Sequence, residues 1–243
     1  MQIVKSLGNF DRVRTIRART DVFARQYQFD KLMRQLCHAG ETDLPDQIVR
    51  DLYAHWGDPI GEATAGYLRS AFNHTVQSNG HILQCGVNLL TLLLGICASR
   101  AEKQKHVWCL TEDPHWANVV RSWLTQYSIA NTHIIVARPQ LGEGYVWYGV
   151  DAKQFPGDFG LVLCEGGAAS PGGIVGFTEK MEHIVNKNCT LLPRFVVKPK
   201  DQRHLHRWAE CNGKQVVLLN KKEGFFKVSV AVAAKPKTTP LPG

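Results

Sequence analysis

Beyond residue 80, the chain alternates short apolar runs with longer segments in which apolar residues recur every three or four positions. The short runs predict buried strands, and the wider spacing predicts amphipathic helices. The predicted strands are residues 81–85, 106–110, 133–136, 159–164, 189–197, 215–220 and 225–232. This order predicts an α/β fold with a doubly wound, mostly parallel, seven-stranded sheet.

The connection between the last two strands determines the direction of the final one. Only Lys221-Lys222-Glu223-Gly224 separates them. These residues are too few for the crossover that a parallel pair needs, whereas they suffice for a hairpin. The last strand is therefore predicted to be antiparallel, unlike any strand of an all-parallel dinucleotide-binding Rossmann sheet.

The most clearly marked helix follows the second strand. Asp113 can accept hydrogen bonds from the first turn, and Pro114 suits the first helical position. Apolar residues from Trp116 to Tyr127 then recur with the period of a helix.

The first 79 residues show helical spacing without strand-like alternation. Five apolar side chains are spaced along one face of a first helix, namely Phe23, Tyr27, Phe29, Leu32 and Leu36. Two further helices are predicted, one ending near Trp56 and one over residues 63–76. We predict a helical cap over residues 1–79, an α/β domain over 80–234 and a disordered tail over 235–243.

Composition restricts the class of protein. A chain of 243 residues that is 44% hydrophobic can bury one large core. Its seven cysteines lack paired CxxC spacing, which favours free thiols and a cytoplasmic location. The longest apolar stretch, residues 87–98, is too short for a hydrocarbon layer of about 30 Å, so no membrane span is expected.

The formal net charge of +8 indicates an affinity for anions without naming one. Nucleic acid, phosphorylated metabolites and an acidic partner all fit this charge. Basic residues concentrate in the first 35 positions and between 187 and 237, with few aromatic residues among those at the N-terminus. Because stacking platforms for bases are not evident there, nucleic acid is not the expected partner.

Three segments that follow predicted strands carry the candidate chemistry. Gln84-Cys85-Gly86-Val87-Asn88 accompanies the first strand, Thr111-Glu112-Asp113-Pro114 the second and Cys164-Glu165-Gly166-Gly167 the fourth. Together with the antiparallel last strand and Trp56-Gly57-Asp58-Pro59, they resemble the class I S-adenosylmethionine-dependent methyltransferases over about residues 56–233. The resemblance implies S-adenosylmethionine as the cofactor, bound at the carboxyl ends of the strands.

The first segment departs from the family pattern of an acid followed by a glycine-rich turn. Gly86 is in place, whereas Gln84 stands at the position of the acid and Asn88 at that of the second glycine. Asparagine tolerates left-handed backbone geometry, so the turn can still form. The resemblance implies that Gln84, Cys85, Gly86 and Asn88 bind the cofactor, and an acid restored at position 84 should tighten binding. An ordinary strand-to-helix turn without a ligand is the alternative.

The second and fourth segments supply the remaining polar candidates. The resemblance implies that Thr111 or Glu112 binds the ribose, since a carboxylate can accept two hydroxyl hydrogen bonds. Glu112 could equally be a plain surface residue. Glu165, on a glycine-flanked turn, could hold the substrate, act as a general base or orient a metal, and is a candidate catalytic residue.

Aromatic residues are the candidates for a substrate pocket. Tyr145, Trp147 and Tyr148 lie between the third and fourth strands, where family members build part of that pocket. Such rings attract a sulfonium or ammonium group, although plain packing explains them as well. Tyr145, Trp147 and Trp56 are assigned to substrate binding, and Tyr148 joins Glu165 as catalytic.

No metal site is expected. Relatives often carry paired acids after the fifth strand, where this chain has Leu192-Pro193-Arg194. His204 and His206 are separated by one residue on a predicted helix, so they do not share a face.

The leading hypothesis is a methyltransferase-like enzyme that acts on a small molecule. Transfer of the aminocarboxypropyl arm of the same cofactor is a variant of it. A methyltransferase-fold scaffold without activity is the alternative, because acids are missing at several positions where the family tends to have them. A nucleic-acid methyltransferase rests on charge alone, and a homodimer is a possible assembly.

Overall fold

The computed structural model describes residues 24–38, 46–56, 62–101, 105–166, 171–222 and 224–230. Seven α-helices occur in the described residues: α1 (residues 24–38), α2 (Asp46–Trp56), α3 (Glu62–Gln77), α4 (Leu89–Ser99), α5 (Pro114–Gln126), α6 (Ile174–Lys180) and α7 (Pro199–Cys211). The strands are β1 (His81–Cys85), β2 (Val107–Thr111), β3 (Thr132–Val136), β4 (Pro139–Gly142), β5 (Tyr145–Tyr148), β6 (Phe159–Cys164), β7 (Val185–Pro193), β8 (Lys214–Asn220) and β9 (Phe225–Val230).

Seven strands form one sheet in the order β3-β2-β1-β6-β7-β9-β8, and β4 and β5 form a separate hairpin. Strand β6 is parallel to both β1 and β7, whereas β9 is antiparallel to β7 and to β8. The predicted α/β fold and its antiparallel last strand are therefore confirmed. The central strands β1 and β6 are almost wholly buried, as the continuous apolar sequence of β6 indicates.

Some element boundaries differ from the predicted ones. Strand β7 spans Val185–Pro193 instead of residues 189–197, because Val185 already pairs with Phe159 of β6 and the strand ends at Pro193. The β4–β5 hairpin was not predicted at all. The cap of α5 is confirmed, since the Asp113 carboxylate accepts a hydrogen bond from the Trp116 backbone N–H at 3.0 Å.

The chain forms two compact units by its contacts. The first comprises residues 1–77, 87–109 and 113–134, and the second comprises residues 78–86, 110–112 and 135–243. The predicted division at residue 79 stays a prediction, and the proposed tail lies outside the described residues. The seven cysteines are free thiols, and no helix among the described residues has the length and apolar character needed to cross a membrane.

Helix α1 of the first unit buries a narrower face than its sequence suggests. Phe29, Met33 and Leu36 are buried, whereas Tyr27 is 68% exposed. The spacing of the buried residues, i, i+4 and i+7, is that of a single helical stripe, which excludes Tyr27. The expectation for Tyr27 was wrong, and Phe23 lies outside the described residues.

An aromatic cluster joins α1, α2 and α5. The Trp56 ring lies 5.5 Å from Phe29, 5.6 Å from Trp116 and 4.7 Å from Trp123, measured between ring centroids. Tilted and edge-on aromatic pairs at these distances stabilise packing beyond their buried area. Trp56 therefore has a clear structural role within the first unit.

Lys105 is a buried cation that holds the end of α3. Its Nζ donates to the backbone carbonyls of Thr75 and Val76, both at 2.9 Å. These carbonyls belong to the last turn of the helix, where a cation also interacts favourably with the helix dipole. Burial lowers the pKa of Lys105, because the charged ammonium group loses hydration inside the protein. The two hydrogen bonds offset part of this desolvation cost.

We expect Lys105→Met to lower the free energy of unfolding by about 1–3 kcal/mol, because the two carbonyls of the last turn of α3, one of them buried, lose their donor. Urea denaturation measures this change. Lys153→Met, at an exposed position of a 3₁₀ turn, is the matched control and should change the unfolding free energy by less than about 0.5 kcal/mol. Equal effects of both substitutions would contradict the capping role.

Candidate functional site

Backbone hydrogen bonds bring together the ends of β1, β2 and β6 in the second unit. Cys85 of β1 pairs in register with Cys164 of β6. The Gly86 N–H donates to the Leu110 carbonyl at 3.0 Å, and the Glu165 N–H donates to the Cys85 carbonyl at 3.3 Å. The three segments singled out in the sequence therefore meet at the carboxyl edge of the sheet.

A hydrogen bond joins Gln84 to Glu165 across this edge. The Gln84 side chain is fully buried, and its Nε2 donates to Glu165 Oε2 at 2.7 Å. The two residues are 81 positions apart in the sequence. Because a buried amide requires partners, this bond fixes the orientation of both side chains. It also brings a carboxylate to the end of β1, where the sequence has an amide.

Gly86 has a backbone conformation that other residues rarely adopt. Its φ angle is +142°, and a Cβ atom at this position would lie 3.2 Å from Glu165 Oε2. The absence of a side chain therefore leaves the carboxylate accessible from the turn. Gly86 has the conformation and the open side that approach of a ligand would need, and its contact with a cofactor stays a prediction.

The turn after β6 folds back on the end of β1. The Gly166 N–H donates to the Gly172 carbonyl at 3.2 Å. A Cβ atom on Gly166 would lie 2.1 Å from the Pro171 carbonyl oxygen, and one on Gly172 would lie 2.7 Å from that of Cys85. Both glycines are required by close backbone contacts, which fix the path of the chain on either side of residues 167–170.

Tyr148, the last residue of β5, lies close to the same strand ends. Burial raises the pKa of its phenol well above the usual range, with further contributions from the negative forms of Cys85, Glu112, Glu165 and Cys164. The Tyr148 hydroxyl therefore stays protonated at neutral pH. It can donate a hydrogen bond, whereas it cannot serve as a general base.

Thr111 and Glu112 differ in their access to a ligand. Thr111 is buried at the end of β2, and its carbonyl accepts a hydrogen bond from the Ala137 N–H at 2.9 Å. The Glu112 side chain is exposed. Glu112 is thus better able to contact a ligand than Thr111, and ribose binding by either residue stays a prediction.

Asn88 has a different geometry from the one predicted. Its φ angle is −160°, which is extended and not left-handed. The side-chain oxygen accepts a hydrogen bond from the Leu90 N–H at 2.8 Å, and the Asn88 N–H donates to Thr91 Oγ1 at 3.1 Å. Asn88 therefore caps α4 within the first unit. The expectation of a second glycine-like position was wrong, and contact of Asn88 with a cofactor stays a prediction.

The other aromatic candidates have packing contacts. Trp147 is buried. Its ring centroid lies 5.4 Å from that of Tyr148 and 6.3 Å from that of Phe177. The indole Nε1 of Trp147 has no hydrogen-bond partner among the described residues. Tyr145 is half-buried at the start of β5. Trp56 contacts the aromatic cluster of the first unit. Substrate binding by these three residues stays a prediction.

Sequence reasoning missed a strained aromatic residue after β7. Phe195 has a φ angle of +62°, which is uncommon for a residue with a side chain, and 43% of it is exposed. The Arg194 guanidinium lies 4.7 Å from its ring centroid, and the Arg194 N–H donates to the Cys164 carbonyl at 2.9 Å. Only the replacement of acids by Arg194 was visible in the sequence. Among the described residues, no group of three metal-ligating side chains occurs.

Comparison with known proteins tests the fold. No family model and no curated protein matches the chain. A protein of Corynebacterium glutamicum, 13% identical, superimposes with a TM-score of 0.52 over 80% of this chain and 93% of its own. This chain has a class I methyltransferase fold.

Two further solved structures are methyltransferases by name. One, from Geobacter sulfurreducens, is 11% identical, with a TM-score of 0.48 over 77% of this chain and 89% of its own. The other, an S-adenosylmethionine-dependent enzyme from Aquifex aeolicus, is 10% identical, with a TM-score of 0.44 over 77% of this chain and its full length.

Proposed function

We propose that this chain is an S-adenosylmethionine-dependent transferase that acts on a small molecule. The observation that carries the proposal is the convergence of Gly86, Glu112, Glu165 and Tyr148 at one edge of the sheet in the second unit. Each of these residues is of a type that could contact the cofactor or the acceptor there. The positive φ of Gly86 and the adjacent carboxylate fit a ligand that carries a cationic amino group.

The described residues suit a reaction that depends on positioning. S-adenosylmethionine, when bound, supplies an activated methyl group on a sulfonium, which needs alignment more than acid–base assistance. Glu112 and the Gly86 turn would hold the cofactor, and the Tyr148 hydroxyl would orient the acceptor as a hydrogen-bond donor. The same groups would also suit transfer of the aminocarboxypropyl arm, and methyl transfer is the simpler proposal.

Calorimetry with S-adenosylmethionine and S-adenosylhomocysteine tests the proposal. Binding of both is expected, with S-adenosylmethionine consumed when fractionated cell extract is added as a source of acceptors. Mass spectrometry of the products identifies the group that is transferred. Absence of binding to either compound would contradict the proposed function.

An inactive scaffold is the second candidate function. It is favoured by the absence of an acid on β1 itself, where Gln84 occupies the position. A scaffold would bind the cofactor, if at all, without consuming it in any extract fraction. Consumption of S-adenosylmethionine therefore separates the two candidates.

We expect Tyr148→Phe to lower turnover about two- to tenfold, the effect of losing one neutral hydrogen bond of about 0.5–1.5 kcal/mol. Cofactor affinity should stay within about twofold of that of the unmodified protein, because the hydroxyl is assigned to the acceptor. Single-turnover rates measured together with calorimetry separate the two effects. Tyr27→Phe, at a side chain that is 68% exposed on α1, is the control, and equal losses in both variants would argue against a specific role for Tyr148.

A further inference from the structure

The turn after β1 has no acid of its own, yet a carboxylate lies beside it. Gln84 Nε2 and Glu165 Oε2 are 2.7 Å apart, and the same oxygen would be 3.2 Å from a Cβ atom on Gly86. The amide therefore orients the carboxylate toward the one position of the turn that lacks a side chain. A carboxylate has about four lone-pair sites, so Glu165 can accept from Gln84 and from other donors at the same time.

We propose that Glu165, oriented by Gln84, binds the cationic amino group of the cofactor at the Gly86 turn. This inference rests on the proposed function and changes the role expected for Glu165 from catalysis to binding. The negative charge is supplied from β6, whereas the amide on β1 positions it. Charge-assisted hydrogen bonds of this kind are stronger than neutral ones, so the pair can replace an acid located on β1.

The geometry explains why the two residues act together. Glu165 follows directly on β6, and its N–H donates to the Cys85 carbonyl at 3.3 Å, so its backbone is fixed against the end of β1. Gln84 is fully buried, and its amide reaches the carboxylate from within the sheet. A ligand that approaches along Gly86 would meet the carboxylate and not the amide.

The decisive experiment is Glu165→Gln, which removes the charge and keeps the size of the side chain. S-adenosylmethionine and S-adenosylhomocysteine, which both carry the amino group, should bind at least tenfold more weakly in calorimetry. Methylthioadenosine, which lacks the whole amino-acid arm, should bind the variant within twofold of the unmodified protein. Equal weakening of all three ligands would overturn the proposal, since it would indicate a general effect on the site.

A charge exchange makes the test independent of folding damage. The double variant Gln84→Glu and Glu165→Gln again pairs one carboxylate with one amide, so it should recover most of the lost affinity for S-adenosylmethionine. Failure to recover in a double variant with the unfolding transition of the unmodified protein would overturn the proposal.

The control is Glu210→Gln, which removes the same charge from the last turn of α7. That helix begins after β7, and Glu210, its twelfth residue, lies about 17 Å along its axis from the helix start. The affinity of the Glu210→Gln variant for S-adenosylmethionine should equal that of the unmodified protein. If the unmodified protein binds S-adenosylmethionine and Glu165→Gln binds it equally well, the inference fails while the proposed function stands. If the unmodified protein does not bind, both fail.

Discussion

Replacing Gly86 with valine should lower the affinity for S-adenosylmethionine at least tenfold. A valine Cβ would lie 3.2 Å from Glu165 Oε2, and its methyl groups would cover the carboxylate. The φ angle of +142° is also unfavourable for a β-branched residue and should cost about 1–3 kcal/mol of unfolding free energy. Calorimetry measures the first effect and urea denaturation the second.

Gly157→Val is the matched control for this substitution. A Cβ atom at Gly157 has no neighbour within 4 Å. The control should therefore leave both affinity and stability nearly unchanged. If Gly86→Val bound S-adenosylmethionine as tightly as Gly157→Val does, the cofactor would not approach this turn.

Gln84→Glu should make stability depend on pH, because it places two carboxylates in contact where the structure has a bond of 2.7 Å. Like charges at this distance favour sharing one proton, so one carboxyl pKa rises in the folded state. The folded protein then binds more protons than the unfolded chain above about pH 4.3, the ordinary glutamate pKa. Relative to the unmodified protein, stability is therefore lost as pH rises through the raised pKa.

Thermal unfolding of both proteins between pH 4 and pH 8 measures this dependence. The two proteins should be closest in stability at the acidic end, and the variant should be less stable by about 1–3 kcal/mol at the neutral end, within the usual range for a disrupted buried polar pair. A constant difference across the range would mean that the two side chains move apart. The sequence alone suggested that an acid at position 84 would tighten cofactor binding, which stays a prediction, and the contact with Glu165 adds a cost in stability at neutral pH.

The parts of the fold that were predictable depend on local signals. The hairpin of the last strands follows from the short connection between Asn220 and Phe225, and the start of α5 follows from Asp113 and Pro114. Each of these needs only residues that are close in the sequence. The order of elements was therefore readable, and with it the class I methyltransferase fold.

The contact between Gln84 and Glu165 could not be predicted, because it depends on which strands become neighbours and on their register. Strands β1 and β6 are separated by four other strands and two helices along the chain, yet they are adjacent in the sheet. Asn88 was misread for a related reason. Its residue type is compatible both with left-handed geometry and with a helix cap, and only the hydrogen bonds to Leu90 and Thr91 decide between them.

The helical cap proposed for residues 1–79 rests on apolar faces that need a partner. Part of these apolar faces is covered within the first unit, where the rings of Phe29 and Trp56 pack on those of Trp116 and Trp123 of α5. Whether this segment also shields a bound ligand stays a proposal. Protection of α1 from proteolysis by S-adenosylmethionine would support it.

The pairing of Gln84 with Glu165 has a consequence for the divergence of such proteins. Moving the acid from position 165 to position 84, and the amide the other way, needs two substitutions. Whichever substitution comes first, the protein then carries either two glutamates or two glutamines at these positions, and both pairs are disfavoured. Two glutamates repel each other at neutral pH, whereas two glutamines carry no charge for a cationic ligand. Lineages that carry the acid on β6 would therefore rarely revert, and a search pattern written for consecutive residues of β1 would overlook them.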